Sequence, residues 1–396
     1  MKIVMVGPFG LRPKATVSRR ALPLAAALAR RGHEVSVLVP SWDWPADAGQ
    51  TGQADGVRLT AIALPPRLPL LSHLLIAARL IRQALAQRPD VVHCFKPKGY
   101  AGLTALGIWL LQGLRLTSVR LVVDTDDWEG PGGWNEIAPY SWAQKVFFAW
   151  QERWGLTHCD AVTVASRTLQ SLAWSLGVPP GKVFYLPNGV LTHPQPPPSP
   201  DAGASGEGGG EGEGEVLLYT RFVEFPVARV VDIFQRITAQ VPETRLLVVG
   251  QGLRGEEKQL AALLAARGLA NHVTFAGWVP SGDLPAHFAA ADLAIFPGDD
   301  TLVNRAKCSV KLTELLAAGV PVVADRVGQN AEYIEHLVSG LLVPPGDSAA
   351  FASAVVALLR DAALRQRLGE AARQRMQKYF TWDRLAEVAE QAYAGK

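Results

Sequence analysis

The sequence predicts an α/β protein of two domains, each built on a parallel β-sheet with helices on both faces. Short apolar runs alternate with longer helical patterns along the whole 396-residue chain, which is the rhythm of βαβ units. A segment rich in Pro, Gly and Glu at 192–215 interrupts this rhythm, and the rhythm then restarts. A chain of this length is about right for two domains of ordinary size.

In the first half, apolar runs have the length of buried strands, and the longer stretches between them have helical spacing. We predict strands at 3–6, 34–39, 57–62, 91–93, 121–123, 161–164 and 183–185, and helices at 18–31 and 72–87. Residues 1–191 should therefore form an N-terminal domain.

Residues 192–215 form the linker in this prediction, because they contain no large apolar side chain and Pro- and Gly-rich segments do not pack. The second domain is predicted at 216–396, with return of the last helix to the first domain as an alternative. Its strands are expected at 216–220, 245–250, 273–276, 293–296, 321–324 and 341–343, and its helices at 227–240, 256–267, 282–290 and 310–318.

Composition excludes several classes of protein. A net charge of +3 is too small to indicate nucleic-acid binding, and the three cysteines have no paired spacing. We therefore expect neither a disulfide framework nor a zinc site, and we predict a reducing, cytoplasmic setting. The first apolar run is too short for a signal peptide. The apolar stretch 101–111 ends at Gln112 and Arg115, short of the roughly 20 residues of a spanning helix. Peripheral membrane contact stays open.

The first 33 residues contain no acidic residue but many basic ones. Arg12 and Lys14 follow the first strand, and Thr16 begins a helix whose N-terminus adds positive potential at the same place. We predict that this loop binds an acceptor or a phosphate group. A solvated helix face is the alternative, and it accounts for Arg30 and Arg31 more easily.

Ligands of open α/β sheets bind beyond the carboxyl ends of the strands. The loops at these positions are rich in Gly, Arg, Lys and Asp, as expected where backbone amides and cations meet phosphate. They lie at 7–16, 93–99, 124–134, 221–226, 250–255, 277–281, 297–307 and 325–330.

The helix at 310–318 carries Lys311 and Glu314 three residues apart, so that they share one face. An ion pair within the helix, worth a few tenths of a kcal/mol, is one interpretation. The other is a ligand site, because a carboxylate can bind two ribose hydroxyls and a lysine can neutralise a diphosphate.

Several longer motifs occur in a fixed order, namely RPDVVH at 88–93, CDAVTVAS at 159–166, LPNGV at 186–190, VTFAGWVP at 273–280 and KLTELLAAGVPVVA at 311–324. In this order the sequence resembles the family-4 retaining glycosyltransferases of the GT-B fold over nearly its whole length. The resemblance implies two facing Rossmann-like domains with an interdomain cleft. It implies transfer from a nucleotide-sugar donor, bound by the second domain, to a glycan or lipid-linked acceptor, bound by the first.

The resemblance also implies roles for individual residues. The implied donor contacts are Glu314 with the ribose, Arg221 and Lys311 with the diphosphate, Gly250 through its backbone, and Trp278 and Val279 with the base. The implied catalytic set is His93, Asp126, Arg221 and Lys311. For His93, a polar strand terminus is the alternative.

The sequence departs from the family pattern at four positions. Ala306 stands where the first glutamate of the paired signature is expected, and Pro226 where a lysine follows Arg221. Asp126 replaces a histidine, and Phe95 the second histidine of an H-x-H pattern. We therefore consider a different grip on the donor sugar, by the cluster of Asp299, Asp300, Asn304 and Arg305.

No cofactor and no metal are predicted, because the donor diphosphate is itself a candidate base and the protein has mainly to orient it. A metal site at Asp124, Asp126 and Asp127 is the alternative to caps and turns there. Two other functions remain open. One is nucleotide-sugar epimerisation, and the other is a non-catalytic protein that binds a sugar nucleotide.

Large apolar residues, most of them tryptophans, recur at helical spacing at Trp142, Val146, Trp150 and Trp154. Core packing or lining of an acceptor groove is the favoured interpretation. A membrane-interfacial face is the alternative, since Trp favours headgroup depth.

Overall fold

A computed structural model describes residues 1–11, 16–66, 71–191 and 214–395. These residues form two compact domains. The described part of the first comprises 1–11, 16–66, 71–191, 306–308 and 381–395, and that of the second comprises 214–305 and 309–380.

The first domain contains an eight-stranded sheet with the order β3-β4-β2-β1-β5-β6-β7-β8. The strands are β1 Lys2–Val6, β2 Glu34–Val39, β3 Thr51–Ala54, β4 Val57–Ala61, β5 Val91–Phe95, β6 Arg120–Thr125, β7 Ala161–Val164 and β8 Val183–Tyr185. Each predicted apolar run is confirmed as a strand. The prediction missed β3, which pairs antiparallel with β4 and whose four residues are all exposed.

The helices of the first domain begin at Thr16 with a π-helical turn, Val17–Ala21, that leads into the first α-helix. The α-helices are α1 Leu22–Arg30, α2 Leu71–Ala86, α3 Gly99–Gly113, α4 Trp134–Ile137, α5 Trp142–Thr157 and α6 Arg167–Ser175. The helix predicted at 18–31 is thus a π turn followed by an α-helix. It buries small and branched apolar side chains against the sheet.

The second domain contains a six-stranded sheet with the order β11-β10-β9-β12-β13-β14, parallel throughout. Its strands are β9 Glu215–Tyr219, β10 Arg245–Val249, β11 Val273–Gly277, β12 Leu293–Phe296, β13 Val322–Asp325 and β14 Leu341–Val343. Its helices are α7 Val227–Thr238, α8 Glu256–Ala266, α9 Leu284–Ala290, α10 Leu302–Ala306, α11 Val310–Ala318, α12 Asn330–Tyr333, α13 Ser348–Arg360 and α14 Ala362–Tyr379.

Each sheet has one point at which the chain reverses its direction of winding. In the second domain this point lies between β9 and β12, because the chain first builds outward through β10 and β11 and then continues on the other side of β9. In the first domain the corresponding point lies between β1 and β5. The carboxyl ends of these strand pairs are where doubly wound sheets bind ligands.

The last helix, α15 Trp382–Ala394, packs on the first domain. Its acidic residues pair with bases near the N-terminus. Arg31 contacts Glu390 at 2.8 Å, and Arg30 contacts Asp383. These partly exposed pairs contribute little stability. They account for Arg30 and Arg31 by pairing with the acidic residues of α15, and the phosphate role of Arg12 and Lys14 stays a prediction.

In the described part of the chain, no helix is both long enough and apolar enough to cross a membrane.

Candidate active site

Three strand ends of the second sheet are held in fixed register by Gly250. Its φ of 127° is one that L side chains rarely adopt, and a Cβ there would lie 1.9 Å from the carbonyl oxygen of Thr220. Its amide donates to the carbonyl of Gly277 across 2.7 Å. The loops after β9, β10 and β11 therefore start from adjacent positions, and only glycine fits at their junction.

Tyr219, the last residue of β9, connects the sheet to α11. Its hydroxyl donates to Oε2 of Glu314 across 3.1 Å. The ammonium group of Lys311 lies 5.2 Å from the centre of the same ring, within the range of a cation–π contact. All three side chains are only partly buried. A carboxylate, an ammonium group and a phenol thus meet at the carboxyl end of the central strand.

A shallow recess of about 190 Å³, open to solvent, lies at the reversal point between β9 and β12. It is lined by residues from the ends of both strands and from the loop after β9, namely Leu218, Tyr219, Thr220, Glu224, Phe225, Ile295, Phe296 and Pro297. Its wall combines apolar side chains with the polar groups of Tyr219, Thr220 and Glu224.

The turn after β9 is strained. Phe222 is buried with a φ of 61°, an outlier for a bulky residue. The Thr220 hydroxyl accepts a 2.8 Å hydrogen bond from the Phe222 amide and helps to hold this conformation. Arg221, between them, is exposed. Such strain persists where the surrounding structure enforces it, often at ligand sites.

The cluster considered for the sugar is engaged in ordering its own loop. The amide nitrogen of Asn304 donates to the carbonyl of Glu224 at 2.7 Å and to that of Asp299 at 2.9 Å. The guanidinium of Arg305 forms two hydrogen bonds with the Asp300 carboxylate. Asn304 therefore joins the loop after β9 to the loop after β12, and Arg305 and Asp300 neutralise each other.

A buried ion pair that the sequence analysis did not anticipate supports this loop. Arg229 at the start of α7 donates two hydrogen bonds, of 2.9 and 2.8 Å, to the carboxylate of Asp325 at the end of β13. The same carboxylate accepts from the Gly298 amide at 2.8 Å. Burial raises the pKa of Asp325, and Arg229 and the Gly298 amide oppose that rise.

The other predicted donor residues lie farther along the same sheet edge. Trp278 follows β11 and is 72% exposed, so that its ring is available for stacking. Val279 is partly buried beside it. Ala306 is fully buried, and its carbonyl accepts a 2.7 Å hydrogen bond from the Ser166 hydroxyl within the first domain.

In the first domain, His93 lies inside β5 and has no exposed surface. The sequence analysis ended the strand at His93, but the strand continues to Phe95. Nε2 of His93 lies 3.1 Å from the Thr163 hydroxyl, which itself donates to Asp124. Nε2 is therefore the donor, and Nδ1 accepts from the Tyr393 hydroxyl at 2.8 Å. Burial lowers the pKa of His93 to about 4, so the ring is neutral.

The centre of this buried network is Asp124. Arg20 contacts both of its carboxylate oxygens, at 2.7 and 2.6 Å, and the same guanidinium reaches the Asn188 side chain at 3.1 Å. Asn188 also binds Cys308 through its backbone and side chain. The network ties the π-helical turn before α1 to the end of β6 and to the segment after β8, and it occupies Asp124 with protein partners.

A second charged cluster follows β5 and β6. Lys96, with a left-handed φ of 58°, lies 2.5 Å from Asp127 and 3.5 Å from Asp126. Burial raises the pKa of Asp126 to about 6, opposed by Lys96 and assisted by Asp127. Burial alone would lower the pKa of Lys96, but the neighbouring carboxylates raise it well above its usual value. Asp126 is thus a carboxyl that changes its protonation near neutral pH.

Two further carboxyls lie beneath this cluster. Glu152 is fully buried and accepts from the Thr125 hydroxyl at 2.7 Å. Burial raises the pKa of Glu152 well above its usual value. Glu129, also buried, lies 2.9 Å from Lys98. Among the described residues, no group of three or more His, Cys, Asp or Glu side chains is arranged to hold a metal ion.

Of the three predicted residues in the loop after β1, the structure describes only Thr16. Arg12 and Lys14 lie outside the described residues. Thr16 is partly buried and opens the π-helical turn. Sequence reasoning missed Tyr219, Lys96 and Lys98. The sequence contains a pattern that could have identified them. Tyr219 ends an apolar strand, and the two lysines flank Pro97 directly after a second apolar strand.

Two tryptophans of α5 contradict the core-packing part of the favoured interpretation, whereas lining of an acceptor groove stays a prediction. Trp142 is 80% exposed, and Trp150 is 44% exposed. They do not form a core.

Both domains match known protein families. Residues 15–189 match the family described as "Glycosyl transferase 4-like domain", and residues 211–375 match "Glycosyl transferases group 1". With its two doubly wound sheets, the chain has the GT-B fold and belongs to the glycosyl transferase families that these two models describe. More narrowly, the chain belongs to the family-4 type of these enzymes, as the sequence motifs predicted.

Individual relatives support this assignment. The chain is 35% identical over 151 residues to a phosphatidyl-myo-inositol mannosyltransferase of Mycobacterium leprae, a match that covers 38% of each chain. The chain therefore spans well under half the length of this curated relative. It is 26% identical to a glycogen synthase of Mycobacterium tuberculosis over 95% of its own length and 90% of that protein.

Solved structures match the fold over nearly the whole chain. Sucrose-phosphate synthase from Thermosynechococcus elongatus aligns with a TM-score of 0.73 and 22% identity, covering 99% of this chain and 98% of that one. Anabaena HepE in complex with UDP and glucose aligns with a TM-score of 0.71 and 19% identity, covering 98% of each chain.

Proposed function

We propose that this protein transfers a hexose-type sugar from a UDP- or GDP-sugar to a glycan or lipid-linked acceptor, with retention of anomeric configuration. The observation that carries the proposal is the meeting of Tyr219, Lys311 and Glu314 at the carboxyl end of β9. This is the edge at which a doubly wound sheet binds nucleotides. The HepE structures, which contain UDP and UDP-glucose on the same fold, support a nucleotide-sugar donor.

In this proposal each donor part has its own partner. Glu314 accepts hydrogen bonds from the ribose hydroxyls, and Lys311 and Arg221 neutralise the diphosphate. The α11 N-terminus adds positive potential for the same phosphates. Gly250 allows the donor to approach the backbone closely, and Trp278 stacks on the base, with Val279 beside it. Asn304 and Arg305 then shape the sugar subsite by ordering the loop that encloses it.

The reaction breaks the bond between the anomeric carbon and the diphosphate oxygen and forms a bond from the same carbon to the acceptor hydroxyl oxygen. The acceptor proton passes to the departing diphosphate. The protein contributes orientation and charge stabilisation of the leaving group. A metal is not part of this proposal, because Lys311 and Arg221 supply the positive charge.

For the acceptor we propose the carboxyl edge of the first sheet. Asp126, with a pKa of about 6, can accept a hydrogen bond from an acceptor hydroxyl, and Arg12, Lys14 and Thr16 are proposed for an acceptor phosphate. Because His93 is fully buried, we propose that it acts through Thr163 and Asp124 as a positioning residue.

A thermal-shift screen of UDP- and GDP-sugars, followed by transfer assays on the hits, tests the proposal. We expect stabilisation by one nucleotide class and acceptor-dependent release of the nucleoside diphosphate, with the product linkage of the same anomeric configuration by NMR. Conversion of the donor sugar without any acceptor would instead indicate an epimerase. Binding without turnover over a broad acceptor panel would indicate a non-catalytic protein, and an inverted linkage would overturn the retaining mechanism.

A further inference from the structure

Helices α2, α3 and α5 of the first domain pack side by side and expose an apolar surface. On α5 the exposed side chains are Trp142, Val146, Phe147 and Trp150, and on α3 they are Trp109 and Leu110. We refer to these six residues as the aromatic face. Single exposed apolar residues are common on protein surfaces, whereas a contiguous group of this kind marks an interaction site.

Ring contacts make the aromatic face continuous across the two helices. Trp109 of α3 packs at right angles to Trp154 of α5, with ring centres 5.4 Å apart. Trp154 stacks with Trp150 at 6.1 Å, and Trp150 stacks with Phe147 at 5.9 Å. The rings of Trp109, Trp154, Trp150 and Phe147 therefore form one chain of contacts that joins the exposed side chains of the two helices.

The charged side chains that reach the surface on these three helices have one sign. The charged side chains of α2 and α5 that reach the surface are Arg79, Arg82, Lys145 and Arg153, α3 carries none, and Arg115 follows directly after it. The one carboxylate on the three helices, Glu152, is fully buried and bonded to Thr125. Outside these helices, α4 carries one exposed carboxylate, Glu136, which accepts from the Gly132 amide.

We infer that the aromatic face seats the first domain on an anionic lipid membrane, with the indole rings at headgroup depth and the surrounding cations against lipid phosphates. Trp and flanking bases are the composition of interfacial helices that lie on a bilayer. A second copy of the chain fits less well, because a twofold contact would bring the same cations of both copies together. The inference does not depend on the donor or the acceptor.

Flotation with vesicles tests this inference on the full chain without substrates. We expect the protein to float with vesicles of phosphatidylcholine containing about one-third phosphatidylglycerol, and weakly or not at all with phosphatidylcholine alone. The double variant Trp142→Ser, Trp150→Ser should reduce binding by about tenfold or more. Both positions are exposed, so the far-UV spectrum and Tm should be unchanged.

The matched control is Trp174→Ser, which removes a tryptophan of similar exposure (42%) from α6 and should bind as the parent does. Lys145→Gln and Arg153→Gln should each weaken binding to the anionic vesicles by roughly fivefold. Quenching of tryptophan fluorescence by brominated phosphatidylcholine, lost in the double variant, would place the rings in the bilayer.

Three results would overturn the inference. One is absence of binding to both kinds of vesicle, and another is equal binding by the parent and the double variant. The third is a dimer in sedimentation velocity that the double variant abolishes while vesicle binding is absent, which would assign the aromatic face to a second copy.

Discussion

The hydroxyl of Tyr219 donates a 3.1 Å hydrogen bond to the carboxylate of Glu314, a residue 95 positions farther along the chain. This bond fixes the orientation of Glu314 on α11 relative to the end of β9. Because the ring of Tyr219 also lies 5.2 Å from the Lys311 ammonium, one aromatic side chain positions both charged groups proposed for the donor.

The first prediction is that Glu314→Ala lowers kcat/KM for the donor by more than about tenfold, or about 1.4 kcal/mol. The variant loses the carboxylate proposed for the ribose, whereas its Tm should stay close to that of the parent because the side chain is only partly buried. Tyr219→Phe should give a smaller loss, since it removes only the orienting bond. Glu243→Ala, at an exposed position of the second domain, is the control. A loss below tenfold for Glu314→Ala would refute the ribose role.

The second prediction is that transfer activity survives EDTA. The described residues contain no cluster suited to a metal ion, and Asp124 and Asp127 already bind Arg20 and Lys96. Initial rates with and without chelator should agree. Loss of turnover on chelation, with recovery on addition of Mg²⁺ or Mn²⁺, would restore the metal site considered at Asp124, Asp126 and Asp127.

The third prediction concerns Asp126, whose folded pKa of about 6 lies above its ordinary value of 3.8. A carboxyl with a raised pKa stabilises the fold fully below its unfolded pKa, and this contribution is lost as the pH rises through the folded pKa. The free energy of unfolding of the parent, relative to Asp126→Asn, should therefore fall by up to about 3 kcal/mol between about pH 4 and about pH 7. Urea unfolding at each pH measures it. A difference independent of pH would contradict the shift.

The fourth prediction is that Arg229→Met destabilises the protein by about 3–5 kcal/mol, because it leaves the buried Asp325 carboxylate without its cation. The double variant Arg229→Met, Asp325→Asn should be more stable than the sum of the single changes predicts. The control is Arg236→Met on the same helix, where the partner Asp232 is exposed and the expected change is below about 0.5 kcal/mol. Additive effects in the Arg229–Asp325 cycle would show that the pair is not coupled.

The fifth prediction is that Arg12→Ala combined with Lys14→Ala raises KM for a phosphorylated acceptor and weakens the salt dependence of binding. Both residues lie outside the described part of the chain, so the prediction rests on their position after β1. The Tm should change little, since exposed substitutions usually stay within about 0.5 kcal/mol. Lys258→Ala, on the exposed surface of α8, is the control. Unchanged kinetics would favour the alternative interpretation, in which these residues have no role in ligand binding.

The predicted strands are present because buried parallel strands are continuous apolar runs whose pattern is local. The hairpin strand β3 could not be predicted in this way. Thr51, Gly52, Gln53 and Ala54 are all exposed, and they form a strand only through antiparallel pairing with β4. The tryptophans of α5 show a second limit of prediction from local pattern. Their helical spacing predicts a helix but not which side of it faces the protein.

The sequence by itself determined the two α/β domains, the loops at the carboxyl ends of the strands, and Lys311 and Glu314 as neighbours on one helix face. These properties follow from short-range periodicity and from order along the chain. Only the tertiary structure decided that His93 is buried against Tyr393, 300 positions away, and that Arg20 is paired with Asp124. The reason is physical. Burial and pairing depend on which distant segments pack together, and the pKa and availability of a side chain follow from that environment.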